Sequence, residues 1–177
     1  GISTASRLMK SGKLPAGSVG VVEPSTKHHY QPLWTLVGGG VCDKQVTERD
    51  QRSVIPRGVD WVQDAVVEFA PDQDLVVLES GGKLSYDTLV VCPGIQLDWD
   101  RVEGLAGNVG KHGICSNYSY DTVESTWKYL RDFKGGHAVF TFPATPIKCA
   151  GAPQKIMYLA EHHMRRTGVR DKSTVTY

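Results

Sequence analysis

The stretch Val19-Gly20-Val21-Val22-Glu23 decides the fold class. It is a short, continuously apolar run that ends in an acid, which is typical of a buried parallel strand. A helix is predicted before it, over residues 2–12. Strand, helix and strand recur in the last part of the chain, at 138–142, 154–167 and 173–177. This alternation indicates an α/β fold of doubly wound type.

The middle of the chain follows a different pattern. Apolar residues alternate through 59–79, and Gly81-Gly82 is typical of a hairpin turn, so a small antiparallel β excursion is expected over 59–86. A second buried strand is predicted at 88–92, where it stops at Pro93-Gly94. A helix is predicted at 121–133 and ends before Gly135-Gly136.

The β-α-β pattern occurs at both ends of the chain, which predicts two nucleotide-binding-type, Rossmann-like domains, each incomplete. The first is expected over 1–105, without its first strand and glycine loop. The second is expected to begin at 106 and continue to 177. There is no starting Met, and both termini read as interrupted elements, so we expect a piece of a longer protein.

Composition limits the function classes. The 177 residues carry a net charge of +1, and no basic stripe is present, which argues against nucleic-acid binding. The apolar runs are strand-sized and fall short of the ~20 residues of a membrane-spanning helix.

The cysteines at 42, 92, 115 and 149 show neither CxxC nor zinc-ligand spacing, so no metal site is predicted. Reduced thiols are expected, although the sequence does not exclude a structural disulfide. His162 and His163 are expected to be surface residues.

Glu23 is the first candidate for binding. A dinucleotide fold places an acid at this strand end, where a carboxylate accepts hydrogen bonds from the adenosine ribose hydroxyls. The glycine fingerprint that precedes such an acid would lie just before and at Gly1. By itself the run also suits a solvated strand end or a helix cap.

The end of the predicted strand 88–92 is the second candidate. Gly94 would let the backbone approach a cofactor closely, because no Cβ intervenes. An ordinary exit from strand to turn explains the same residues. Cys92 fits a small buried residue equally well.

Cys149 is the third candidate, in the run Pro146-Ile147-Lys148-Cys149-Ala150-Gly151-Ala152-Pro153-Gln154-Lys155. The run follows a predicted buried strand and precedes a helix N-terminus, with Lys155 expected in the first helical turn. The positive helix end and the two lysines all favour the thiolate. The residues alone leave open a reactive thiol or an inert one.

Several long motifs resemble the animal sulfide:quinone oxidoreductases of the flavin-dependent disulfide oxidoreductase superfamily. The resemblance runs along the whole chain, on the runs 22–25, 30–38, 94–98, 116–119 and 141–158. The stretches YQPLWTLVGG and KCAGAPQKIMYL carry most of it. It implies FAD/NAD(P)-binding-type domains, of which the first would bind FAD.

The resemblance also implies residue roles. Glu23 would hold the FAD ribose, Gln31 would lie against FAD, Val66 would contact its adenine end, and Gly94 would pass near the isoalloxazine ring. Gly1 would belong to the glycine fingerprint that binds the cofactor phosphates.

For the chemistry, the resemblance implies that Cys149 is one of two catalytic cysteines and that Lys155 supports the charge there. Sulfide would attack the cysteine pair, leaving a persulfide whose sulfur passes to a small thiol acceptor or to sulfite. Glutathione is one such thiol. Electrons would pass through FAD to ubiquinone, on the matrix side of the mitochondrial inner membrane. Membrane contact would come from a C-terminal part outside this chain.

The chain also departs from the family pattern. The second catalytic cysteine, the later flavin-phosphate motif and the quinone region are absent, so the 177 residues are not expected to turn over alone. The alternative is a related membrane-associated flavoprotein, such as a non-pumping NADH:quinone dehydrogenase. That enzyme would need a glycine-rich loop after 138–142, whereas this chain has PATPIKCAGAP there.

Overall fold

The computed structural model describes residues 1–144 and 147–177. The chain forms two compact units. The first contains 1–28 and 49–96, and the second contains 29–48 and 97–177. The chain therefore leaves the first unit, returns to it, and then completes the second. The domain limits expected from the sequence, 1–105 and 106–177, stay a prediction.

The helices of the described residues differ in length, and the longest is the last. They are α1 (Ile2–Lys10), α2 (Trp34–Gly38), α3 (Gln51–Val54), α4 (Val123–Asp132) and α5 (Gly151–Arg166).

The strands of the same residues are short. They are β1 (Val19–Val22), β2 (Lys27–His29), β3 (Glu48–Asp50), β4 (Val59–Val62), β5 (Val66–Ala70), β6 (Leu75–Leu78), β7 (Lys83–Ser85), β8 (Gly136–Val139) and β9 (Ser173–Thr176). The sheets are β1-β4, β2-β3, β5-β6-β7 and β8-β9.

The first unit is organised around a parallel pair of strands. β1 and β4 pair in register from Val19↔Val59 to Val22↔Val62. Helix α1 packs on β1 and buries Ala5. The parallel character predicted for β1 is confirmed. The antiparallel excursion was predicted to start at residue 59, and this start was wrong. Strand β4 pairs in parallel with β1, and the antiparallel sheet begins at β5. Two-residue alternation is common to both pairing modes and does not distinguish them.

The antiparallel sheet β5-β6-β7 contains the predicted hairpin turn. Leu78 N–H donates to the Gly82 carbonyl at 2.8 Å. Gly81 has φ of +87°, a conformation that glycine adopts without steric cost. Val76 and Leu78 are buried on one face of β6.

The predicted strand at 88–92 was wrong. These residues form no strand, and Val90 and Val91 are 52% and 54% exposed. A buried strand needs a neighbour to satisfy its N–H and C=O groups and cover on both faces. Within the described residues no strand pairs with this segment.

The second unit is built on a β-α-β element. β8 and β9 pair in parallel, from Gly136↔Ser173 to Val139↔Thr176, and α5 connects them. The apolar side of α5 follows helical spacing at Ile156, Ala160 and Met164. These side chains form a buried core with Leu130 of α4.

The predicted bounds of this element need correction. Helix α5 begins at Gly151, not at 154, because Pro153 is accepted in a first turn, where its missing N–H has no partner to lose. Lys155 therefore lies in the second turn, not the first. Strand β8 covers Gly136–Val139, so it begins and ends closer to the N-terminus than the predicted strand at 138–142.

Among the described residues, no helix combines the length and apolar character needed to cross a membrane.

Candidate functional site

An open cleft of about 310 Å³ lies in the first unit. Its lining comes from the N-terminus of α1, the end of β1 and three other positions: Gly1, Ile2, Ser3, Val21, Val22, Glu23, His28, Gln51 and Cys92. The fold thus brings together Gly1 and Glu23, two of the predicted cofactor-binding residues. Cys92 is exposed, not buried, and joins them.

The cleft combines the positive end of a helix with a carboxylate. Gly1 caps α1 without a side-chain hydrogen bond, and the first turn contains no acid, so the helix end is suited to an anion. The Glu23 carboxylate accepts the Ser25 N–H through Oε1 at 2.8 Å. The Glu23 carbonyl accepts the Trp61 indole N–H at 2.8 Å, which fixes the end of β1. The cleft therefore suits a ligand that places a phosphate at the start of α1 and hydroxyl groups at the Glu23 carboxylate.

Val66 and Gly94 are not among the residues that line this cleft. Val66 opens β5, is half-buried and pairs with Leu78. Gly94 lies in an exposed irregular segment with φ of +82°. Their predicted contacts with a cofactor stay predictions.

The cysteine loop lies in the second unit, directly before α5. Cys149 is exposed and free, and its carbonyl accepts the Ala152 N–H at 3.1 Å. Within residues 1–144 and 147–177 no side chain caps α5, and its first turn holds no acid, so Cys149 directly precedes the cap residue of an uncompensated positive helix end. Pro146, at the start of the predicted motif, lies outside the described residues.

Gln31 reaches this loop. It opens a short 3-10 helix, Gln31–Leu33, and its side-chain oxygen accepts a hydrogen bond from Lys148 Nζ. The two residues are 117 positions apart in the chain. A residue predicted to contact FAD is therefore bonded to the neighbour of the predicted catalytic cysteine.

Tyr118 also belongs to the surroundings of Cys149. Burial raises the pKa of the Tyr118 phenol, and negative charge at Cys149 raises it further. The adjacent Asn117 is buried, and its amide donates to Thr35 Oγ1 at 3.3 Å. This hydrogen bond attaches the segment that contains Tyr118 to helix α2.

Lys155 is exposed on α5. No ion pair of the described residues involves it. Its predicted support of charge at Cys149 stays a prediction.

The remaining cysteines of this unit are half-buried and free. Burial raises the pKa of the Cys115 thiol, which favours its neutral form. Cys42 packs against the buried cluster of Trp34, Val37 and Val123. These settings are typical of structural thiols.

A second cleft in the same unit has a volume of about 550 Å³. On its wall the Lys44 ammonium lies 2.9 Å from Glu124 and 4.8 Å from the Tyr120 ring centroid. The hydrogen bond with Glu124 raises the pKa of Lys44. Lys44 and Glu124 thus form an ion pair on the wall of this cleft.

Sequence reasoning missed Tyr118 and the bond between Gln31 and Lys148. Tyr118 lay within a motif of the resemblance but had no assigned role. No local pattern indicates a contact across more than a hundred residues.

The fold is of the dinucleotide-binding, Rossmann type, which confirms the predicted fold class. The chain superimposes on the sulfide:quinone oxidoreductase of Aquifex aeolicus with a TM-score of 0.75 and 19% identity, over 99% of this chain and 40% of that one.

The chain is a homologue of mitochondrial sulfide:quinone oxidoreductases. It is 49% identical to the Mus musculus protein over 177 residues, and 48% identical to the Dictyostelium discoideum protein over 173 residues. These matches cover 100% and 97% of this chain but only 39% and 38% of the relatives' length. The resemblance predicted from the sequence is confirmed. No family model matches the chain.

Proposed function

We propose that this chain is part of an FAD-dependent sulfide:quinone oxidoreductase. The supporting observation is that Cys149, the predicted redox thiol, lies exposed at an uncapped helix end next to Lys148, within a chain homologous to that family.

The cleft of the first unit supports a flavin dinucleotide as cofactor. Glu23 would accept hydrogen bonds from the ribose hydroxyls, and Gly1 together with the backbone N–H groups at the start of α1 would bind a phosphate. Gln31, Val66 and Gly94 complete the proposed contacts. We place FAD in a domain over 1–105 and the cysteine loop in a domain from 106 to 177.

At Cys149 the proposed step is thiol–disulfide exchange. Hydrosulfide attacks a disulfide between Cys149 and a second cysteine of the full-length protein. One sulfur–sulfur bond forms on the second cysteine, and the old bond breaks. Cys149 leaves as a thiolate that carries the electron pair. The helix end and Lys148 stabilise that anion, with Lys155 as a further cation.

Bound FAD would accept the two electrons from this site and deliver them to ubiquinone. A small thiol such as glutathione, or sulfite, would take the sulfane sulfur from the persulfide. We place the protein at the matrix side of the mitochondrial inner membrane, with membrane contact through parts outside these 177 residues.

The test uses the full-length protein. We expect sulfide to bleach the flavin absorbance, and Cys149→Ser to abolish this reduction. Cys42→Ser, at the half-buried cysteine of the hydrophobic cluster, is the matched control and should keep it. Undiminished bleaching in Cys149→Ser would refute the proposal, and rapid reduction by NADH would favour the alternative dehydrogenase.

The 177 residues alone should retain little flavin. The cleft of about 310 Å³ lies at the lower end of the ~300–1,000 Å³ typical of sites for drug-sized ligands, and FAD is larger than these. Expression of residues 1–177 should give a protein without flavin absorbance, whereas tight stoichiometric FAD would contradict this expectation.

A further inference from the structure

The bond between Gln31 and Lys148 joins two separate elements, and Lys148 directly precedes Cys149 in the chain. One end lies in the 3-10 helix Gln31–Leu33, and the other lies in the loop before α5. Each end is anchored. The 3-10 helix continues into α2, which packs against α5, and the Cys149 carbonyl is bonded to Ala152 N–H within the start of α5.

A glutamine differs from a carboxylate in its effect on a lysine. The amide oxygen accepts from the ammonium and fixes its position, but it carries no charge to offset the cation. The bond therefore restricts movement of the Lys148 ammonium without placing an opposite charge beside it. A Lys–Glu pair at the same place would fix the ammonium but cancel much of its field.

Charge at the Cys149 sulfur affects the pKa of a neighbouring residue, Tyr118. Negative charge at Cys149 raises the pKa of Tyr118, beyond the larger effect of burial. Because its pKa is raised, Tyr118 is neutral at pH 7. Lys148 is therefore the cation among Lys148, Gln31 and Tyr118.

We propose that Gln31 is a positioning residue for Lys148, and that it acts through this lysine to stabilise the thiolate of Cys149. The inference deepens the proposed function, since it concerns the thiol on which that function rests. It gives Gln31 a role beyond contact with FAD. The amide oxygen holds Lys148.

The experiment measures alkylation of Cys149 by iodoacetamide at neutral pH, followed by peptide mass spectrometry, in full-length protein that has first been reduced so that Cys149 is a free thiol. The rate reports the fraction of thiolate and needs neither sulfide nor quinone turnover. Alkylation of the half-buried Cys42 and Cys115 in the same samples reports whether each variant is folded.

The variants form a double-mutant cycle of Gln31→Met and Lys148→Met. Each single variant should slow alkylation of Cys149 about 2- to 5-fold, the range expected from exposed charge interactions. In the Lys148→Met background, Gln31→Met should cause no further slowing. Gln31→Glu should also slow alkylation, because the new carboxylate cancels the lysine charge.

Gln73→Met, at an exposed 3-10 helix of the first unit, is the matched control and should leave the rate unchanged. If Gln31→Met does not fold, Gln31→Asn replaces it, since its amide is one methylene too short for Lys148. Equal effects of the Gln31 variant with and without Lys148, or no effect in either background, would overturn the proposal.

The experiments distinguish failure of the Gln31 proposal from failure of the proposed sulfide chemistry. Loss of the coupling with sulfide-driven bleaching intact would remove only the role of Gln31. Retained coupling with bleaching unaffected by Cys149→Ser would remove the sulfide chemistry and leave the positioning pair.

Discussion

The imidazole of His163 meets the indole of Trp127 edge to face, with ring centroids 4.9 Å apart. The two rings join α5 to α4 beside the buried core of Leu130 and Met164. His163 is half-buried, with part of its surface exposed, whereas His162 is exposed as expected.

This contact should make the stability of the second unit depend on pH. Burial lowers the pKa of His163 from 6.5, and Arg166 and His162 lower it further. The unfolded chain then binds the proton more readily than the folded one. The stabilising contribution of His163 is complete above the unfolded value and is lost as the pH falls through 6.5 to the folded value.

The measurement is urea unfolding of wild type and His163→Gln across this pH range. The loss of stability at acid pH should be smaller in the variant. His112→Asn is the control, because His112 is exposed and Asn tolerates its φ of +53°. Parallel curves for wild type and His163→Gln would contradict the prediction.

Gly40 should not accept a side chain. Its φ is +72°, and an added Cβ would lie 2.4 Å from the Trp127 ring. Backbone strain and the clash together predict a loss of roughly 2–4 kcal/mol for Gly40→Ala.

Gly168→Ala is the matched control for that clash. Its φ of +70° is similar, but nothing lies within 4 Å of its Cβ position. Strain alone should cost about 1–2 kcal/mol in denaturant unfolding. Equal losses for the two variants would show that Trp127 does not limit this position.

Tyr118 should report the charge at Cys149. Replacing Cys149 by Ser removes the negative charge that raises the pKa of Tyr118, so this tyrosine should ionise at lower pH. Tyrosinate absorbance, after subtraction of the matching Tyr118→Phe titration, isolates the residue. Cys92→Ser, in the first unit, should leave the curve in place. An unchanged curve in Cys149→Ser would exclude the coupling.

Glu23 should contribute to binding of the proposed cofactor. Glu23→Gln keeps an acceptor for Ser25 N–H but removes the charge, and charge-assisted bonds are roughly twice as strong as neutral ones. With two ribose hydroxyls involved, the FAD dissociation constant should rise about 10-fold.

Fluorescence titration of the apoprotein of full-length enzyme checks this. Glu68→Gln, exposed on β5, should bind FAD as the wild type does. Wild-type affinity in Glu23→Gln would argue that the cleft beside α1 is not the ribose site.

Local pattern predicted several elements correctly. The apolar run of β1, the Gly81-Gly82 turn and the apolar spacing of α5 each follow from contacts within a few residues. Where a partner distant in the chain decides the structure, prediction failed. The apolar run at 88–92 has strand composition but no neighbouring strand in the part of the chain that the structure describes, and β4 pairs with β1 rather than with β5.

The sequence by itself determined the α/β class, the homology and the position of Cys149 before a helix, because these depend on periodicity and on motifs continuous in the chain. Only the tertiary structure decided that Gln31 binds Lys148 and that Gly1, Glu23 and Cys92 line one cleft. Such contacts depend on how distant segments pack, and packing of non-local side chains leaves no periodic signal in the sequence.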